Sequence, residues 1–333
     1  MLGLLKDGDH TAEQVLTTLD LADRLKTERR AGSEKPQLIG KNVALVFEKP
    51  STRTRSAFEV ALRDQGGAAV YFDSTSSHMG QGESIEDTAK VFGRLFDGVG
   101  FRGYAHHDVE LLAEHSGIPV WNGLTDTWHP TQALADLMTM REALGRPLQE
   151  ISVCFVGDAS DNVARSLLVT GALVGMDVRI AAPAGYQPEE ATISAARHAA
   201  RGLGGRVTVT DDLESAVRGV DFLYTDVWIS MGEKESLWDQ RIADLRNFRI
   251  DAAVVTATGN PDVGFLHCLP SFHDDATSVG RTVKQKYGFD GIEVSDDVFR
   301  SPASIVFDQA ENRMHSIKAM MLKSYFPSIG ATL

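Results

Sequence analysis

The run KNVALVFEKPSTRTRSAFEVALRDQGGAAVYF, residues 41–72, contains a short apolar stretch, a polar turn, an amphipathic stretch and a second apolar stretch. Lys41–Phe47 and Ala68–Phe72 read as buried strands, and Arg53–Asp64 between them reads as a helix. Strands separated by a helix of this length make a βαβ unit, and hence a parallel sheet. The same alternation extends outward. Thr11–Arg29 carries Val15, Leu16, Leu19, Leu21, Ala22 and Leu25 close to a helical period. Strands at Gly98–Phe101 and Ile118–Trp121 alternate with helices at Ser84–Phe96, Asp108–His115 and His129–Leu144.

The tetrapeptide Leu144-Gly145-Arg146-Pro147 breaks a helix and divides the chain. Beyond it, strands are expected at Ile151–Val156, Val178–Ala182, Val207–Thr210, Asp221–Thr225, Ala253–Thr256 and Phe265–Cys268. Helices are expected at Asn162–Leu173, Glu189–Arg201, Leu213–Val217, Leu237–Leu245 and Ile305–Leu322. The predicted fold class is α/β, with two domains that are each a mostly parallel sheet flanked by helices. They cover residues 1–145 and 146–333, and the last helix, about 305–323, is expected to pack back on the first domain.

Composition narrows the function. The 333 residues carry a net charge of −13, which argues against a general nucleic-acid binder because such proteins need a basic face. A small anionic substrate stays open, since a local pocket can be positive on an acidic protein. Two cysteines, Cys154 and Cys268, make no disulfide framework and fit a reducing compartment. The chain has no apolar run long enough for a membrane helix, and residues 1–10 lack the pattern of an export signal. A cytoplasmic protein is expected.

Ligands of open α/β sheets bind beyond the carboxyl ends of strands, so the strand-to-helix junctions matter most. Ser51-Thr52-Arg53-Thr54-Arg55 follows one strand and opens a helix. Its three hydroxyls, two arginines and free helix-start N–H groups favour an anion site over an ordinary cap. The Walker glycines are absent. Arg102 comes just after the strand Gly98–Phe101 and, taken alone, reads as a surface arginine. His129 and Gln132 lie three apart at a helix start that Pro130 favours, where they would orient a polar ligand; His129 by itself reads as a capping or packing histidine. Gly157-Asp158-Ala159-Ser160-Asp161-Asn162 has the position of a dinucleotide loop but not its glycines, which disfavours a nicotinamide cofactor. Asn162 either binds a ligand or caps the helix. Asp226 ends a strand where a carboxylate would hold an ammonium group, and Val227–Gly232 after it reads either as a flap or as a loop over the core. Cys268 is, on its own, structural; zinc-ligand spacing is absent, so no metal is expected.

Taken together, FEKPSTRTRSAFE, ESIEDTAKVFGR, FRGY, WNGLTDTWHPTQALAD, TDVWISMGE, FLHCLPSFHDD and ASIVFDQAENRMHSIKAMM resemble the ornithine carbamoyltransferase family over nearly the whole chain. The resemblance implies a carbamoyl phosphate domain followed by an ornithine domain. It implies transfer of a carbamoyl group from carbamoyl phosphate to the side-chain amine of L-ornithine, giving L-citrulline and phosphate without a cofactor. By the family's pattern Ser51, Thr52, Arg53 and Thr54 bind the phosphate. Arg102, His129 and Gln132 hold the carbamoyl group, with Cys268, Leu269 and Arg313 completing that side. Asn162, Asp226, Ser230 and Met231 bind ornithine. Arg53, Arg102, His129 and Cys268 are the expected catalytic groups. His78 aligns with the family's phosphate contact from a neighbouring subunit, where many bacterial members have Gln. The resemblance also implies a homotrimer or a multiple of trimers, with sites shared between subunits. A carbamoyltransferase for another amine, putrescine or lysine, is the alternative.

Overall fold

The structure is a computed structural model, and it describes residues 3–73, 82–229 and 238–329. The chain forms two compact units, one of Met1–Met138 with Glu311–Leu333, the other of Thr139–Ala310.

In the first unit the described residues form a parallel sheet of β1 (Asn42–Phe47), β2 (Ala68–Asp73), β3 (Gly98–Arg102) and β4 (Val120–Leu124), in the order β2-β1-β3-β4. The near-continuous apolar run of β1 is what a strand covered on both faces requires, and residues 43–47 are buried. Helices α1 (Ala12–Arg30), α2 (Thr52–Asp64), α3 (Ile85–Leu95), α4 (His106–Ser116) and α5 (Pro130–Leu144) alternate with the strands. Thr11 and Gln14 cap α1 reciprocally. Phe58, Phe101 and Trp121 are fully buried, each contributing about 1.5–3 kcal/mol by leaving water.

The second unit holds β5 (Ser152–Val156), β6 (Asp177–Ala181), β7 (Arg206–Thr210), β8 (Phe222–Thr225) and β9 (Gly264–His267), parallel and in the order β7-β6-β5-β8-β9. Its helices are α6 (Asn162–Leu173), α7 (Glu190–Ala200), α8 (Leu213–Val217), α9 (Trp238–Leu245), α10 (Ala252–Ala257), α11 (Ser278–Tyr287) and α12 (Asp296–Phe299). The last helix, α13 (Val306–Tyr325), starts here and ends in the first unit. There Lys26 donates to Asn312 at 2.7 Å, and Lys318, fully buried, donates to Glu34 at 2.6 Å and Asp64 at 2.8 Å. The return of the last helix to the first unit agrees with its expected packing.

Two readings need correction. Ala253–Thr256 is helical, within α10, and not a strand. Its β-branched run mimics one, but the Asp251 carboxylate accepts from the N–H groups of Ala253 and Val254 and starts a helix. Helices α11 and α12 were not expected, because SVGRTVKQKY shows little apolar periodicity and α12 is a single turn.

Each sheet has one place where consecutive crossovers leave in opposite directions: between β1 and β3 in the first, between β5 and β8 in the second. Such switch points open a crevice beyond the strand ends.

Candidate functional site

At the switch point of the first unit, Phe47 pairs with Arg102, and the Glu48 N–H donates to the Arg102 carbonyl at 2.8 Å. The loop after β1 therefore runs beside the end of β3. Ser51 caps α2, its hydroxyl accepting from the Thr54 N–H at 3.2 Å. Thr52 is exposed, Arg53 half-buried and Thr54 fully buried. The Thr54 hydroxyl accepts from Arg102 Nη1 at 3.4 Å and from Arg313 Nη1, on α13, at 3.3 Å. Arg55 departs from the expected pair of donors: on the outer face of α2 it binds Glu59 one turn on at 2.7 Å and lies over the Tyr71 ring.

His129 precedes α5, and its carbonyl accepts from the N–H groups of Gln132 and Ala133. Its buried ring is close to Thr131, Nδ1 to Oγ1 3.4 Å. Burial, and then the charges of Arg313, Arg102 and Arg53, push its pKa well below 6.5. The imidazole is thus neutral at neutral pH, a donor in a cationic surround. Gln132 donates from Nε2 to Asp136 at 2.6 Å, and its Oε1 is buried with no hydrogen-bond partner among the described residues. That carbonyl is suited to an incoming N–H group. Asp136, not singled out from the sequence, is four residues after Gln132 on the same helix face, a spacing that was there to be read.

The switch point of the second unit carries a different charge. Thr225 Oγ1 donates to the Val156 carbonyl at 2.7 Å and ties the two strand ends together. Gly157 leaves β5 with φ +118°, where a side chain would also meet Trp228 Nε1. Asp161, not Asn162, caps α6, accepting from Val163 N at 2.9 Å and Ala164 N at 3.4 Å. Asn162 is the first helical residue and half-buried. Asp226, at the end of β8, accepts at Oδ1 from the Val227 N–H at 2.8 Å and the Cys268 thiol at 3.1 Å. Burial, Asp226 and Asp158 together hold the Asp161 carboxyl well above the usual range, and burial raises Asp226. Arg241 binds Asp158 at 2.5 Å. Leu269 has φ +60° and precedes a cis proline, Pro270. His78, Ser230 and Met231 lie outside the described residues.

Asp226, His267 and Cys268 bring one potential ligand atom each within 4.8 Å of one another, a donor set of the type that holds zinc. The imidazole is already used: Nδ1 accepts from the Leu269 N–H at 2.9 Å and Nε2 faces Glu293 Oε1 at 3.2 Å. At His273, Asp274 and Asp296, the other such group among the described residues, Arg300 already supplies a cation to both carboxylates.

Comparison with known proteins gives two family matches. Residues 3–142 match the aspartate/ornithine carbamoyltransferase carbamoyl-P binding domain, and residues 149–323 match the Asp/Orn binding domain of the same family. Among solved structures, the ornithine carbamoyltransferase from Pyrococcus furiosus is 41% identical, with TM-score 0.88 over 96% of each chain. That from Thermus thermophilus is 37% identical, with TM-score 0.81 over 97% of this chain and 99% of the other. The anabolic enzyme from Campylobacter jejuni is 32% identical, with TM-score 0.85 over 98% of this chain and 100% of the other.

Proposed function

We propose that this chain, which belongs to the aspartate/ornithine carbamoyltransferase family, transfers the carbamoyl group of carbamoyl phosphate to the side-chain amine of L-ornithine, giving L-citrulline and phosphate. The observation that carries this reading is the buried Thr54 hydroxyl between the guanidinium groups of Arg102 and Arg313, at the start of the helix that Ser51 caps. In it Ser51, Thr52, Arg53 and Thr54 grip the phosphate. Arg102 and His129 donate to the carbonyl oxygen, and Arg313 and Leu269 complete that side. The Gln132 carbonyl accepts from the carbamoyl NH2, a fit supported by its buried Oε1, which has no hydrogen-bond partner among the described residues.

Residues 1–145 would then bind carbamoyl phosphate and residues 146–333 ornithine. Asn162, Asp226, Ser230 and Met231 hold the amino acid, with Asp226 on its α-ammonium and Cys268 beside the reacting nitrogen. The acidic cluster of Asp158, Asp161 and Asp226 supports a cationic amino acid over the dicarboxylate aspartate: burial, and then Asp226 and Asp158, already raise the Asp161 carboxyl, so a further anion there is disfavoured. The amine attacks the carbonyl directly. Negative charge builds first on that oxygen, facing Arg102 and His129, and then on the leaving phosphate, facing Arg53. The attacking amine must be neutral although its ordinary pKa is about 10.4, so the site either binds the minority neutral form or removes a proton from it. We further propose a homotrimer or a multiple of it, with His78 of a neighbouring subunit on the phosphate, acting in the cytoplasm.

A citrulline assay with purified protein, comparing ornithine with lysine, putrescine and aspartate, together with the solution mass, tests the reading. Arg53→Ala should fold and lose about 10²–10³ in kcat/KM for carbamoyl phosphate, the usual cost of one preorganised donor. Near-normal citrulline formation by that variant overturns the phosphate assignment.

A further inference from the structure

A buried carboxylate that the proposed reaction does not use holds the turn after β9. Glu293, between α11 and α12, is fully buried. Its Oε1 accepts from the Phe272 N–H at 2.7 Å, the Ser271 hydroxyl at 2.7 Å and His267 Nε2 at 3.2 Å. Three donors converging on that one oxygen call for the ionised carboxyl, which only accepts. It therefore stands as an anion beneath the turn.

His267 is also fully buried, and each of its ring nitrogens has a fixed neighbour. The Leu269 N–H points at Nδ1 from 2.9 Å, so Nδ1 must offer a lone pair. Nε2 faces a carboxylate, so it must offer a proton. The opposite tautomer would set two N–H groups head to head on one side and a lone pair against an anion on the other. The bond to Nδ1 helps hold Leu269 at φ +60°, a conformation that a non-glycine residue keeps only when its surroundings enforce it. Cys268 lies between the two residues this bond joins, and its thiol is aimed at Asp226, 3.1 Å away. The Gln309 side chain fixes the same segment from the backbone side, accepting from the His267 N–H at 2.9 Å.

We propose that Glu293 is a positioning residue for the amine half of the site: through the Nε2–H···Oε1 bond it sets the tautomer of His267, whose Nδ1 holds the Leu269 N–H and thereby the direction of the Cys268 thiol. The kinetic consequence rests on the ornithine-transfer reading; the tautomer does not.

Three variants separate the links. Glu293→Gln keeps the shape and removes the charge. His267→Asn keeps an acceptor near the Nδ1 position and drops the Nε2 arm, whereas His267→Gln extends its amide toward the Nε2 position. Imidazole ¹⁵N shifts of the wild type, assigned by the resonances lost in His267→Asn, should show a neutral ring protonated on Nε2, and Glu293→Gln should disturb that pattern. Glu293→Gln should lower kcat/KM for ornithine by about tenfold or more while inorganic phosphate affinity stays within about twofold of wild type, a split that general unfolding would not give. His267→Asn should outperform His267→Gln by about fivefold or more on the same measure.

A wild-type ring protonated on Nδ1, wild-type ornithine kinetics in Glu293→Gln, or equal defects in the two His267 variants would each overturn the proposal. If Glu293→Gln fails to fold, the wild-type spectrum and the His267 pair still decide. A wild type that makes no citrulline defeats the ornithine reading and leaves the ¹⁵N measurement as the test of the tautomer.

Discussion

Arg313 Nη1 donates to Thr54 Oγ1 at 3.3 Å although 259 positions separate the two residues in the sequence. Arg102 reaches the same oxygen from 3.4 Å, so one buried hydroxyl orients two guanidinium groups. Thr54→Val keeps the shape and deletes the acceptor, at about 1.5–3 kcal/mol for a hydrogen bond to a charged group. We expect a folded protein whose inorganic phosphate affinity, read by calorimetry, falls about tenfold, the equivalent of about 1.4 kcal/mol. Unchanged affinity would remove Thr54 from the anion site.

The neutral state of His129 has a sign that can be checked. Its folded pKa is depressed by burial and by Arg313, Arg102 and Arg53, so below its unfolded value of about 6.5 the unfolded chain takes up a proton that the native ring refuses. Its contribution to stability is complete above that pH and drains as pH falls through it. His10, His106 and His315 are depressed in the same direction, His315 to about 4. The urea midpoint should therefore fall between pH 7.5 and 5.5, and His129→Gln should make that fall shallower without abolishing it. An equal slope in both proteins would contradict the neutral assignment.

Asp161 has the opposite sign. Its carboxyl is raised by burial, Asp226 and Asp158, so the native state holds a proton that the unfolded chain releases above about pH 3.9. Its favourable contribution is complete below that pH and is lost as pH rises through the raised folded value. Asn caps a helix as well as Asp does, so Asp161→Asn should raise the melting temperature, and more at pH 8 than at pH 5. A lower melting temperature at pH 8 would show that the capping charge outweighs the repulsion.

Lys318 tests the first unit's frame. Its ammonium is fully buried against Glu34 and Asp64. Lys318→Met removes one side of a buried ion network and should destabilise by about 3–5 kcal/mol in urea titration. A loss below about 1 kcal/mol, typical of an exposed pair, would mean that water compensates the two carboxylates.

Much of this was legible in the sequence, and the remainder shows where local patterns stop. The apolar run Lys41–Phe47 announced β1 because a strand covered on both faces has no reason to alternate. The anion-site residues were legible because Ser51–Thr54 are contiguous and sit at a helix start. Glu293 was not: a lone acid 26 residues from His267 acquires meaning only when folding carries its Oε1 to the Nε2 of that ring. Val254-Val255-Thr256 misled because its β-branched residues outweigh, by eye, the single capping Asp251 that decides the conformation. Arg55 looked like half of an arginine pair until helical spacing set Glu59 beside it.

The first unit is assembled from the two ends of the chain, Met1–Met138 and Glu311–Leu333. When synthesis reaches Ala310 every residue of the second unit has been made, while the first still lacks Arg313 and Lys318. Domains generally fold as units during synthesis, but here the unit begun first is completed second, and a nascent chain carries no closed arginine cradle until α13 has been made.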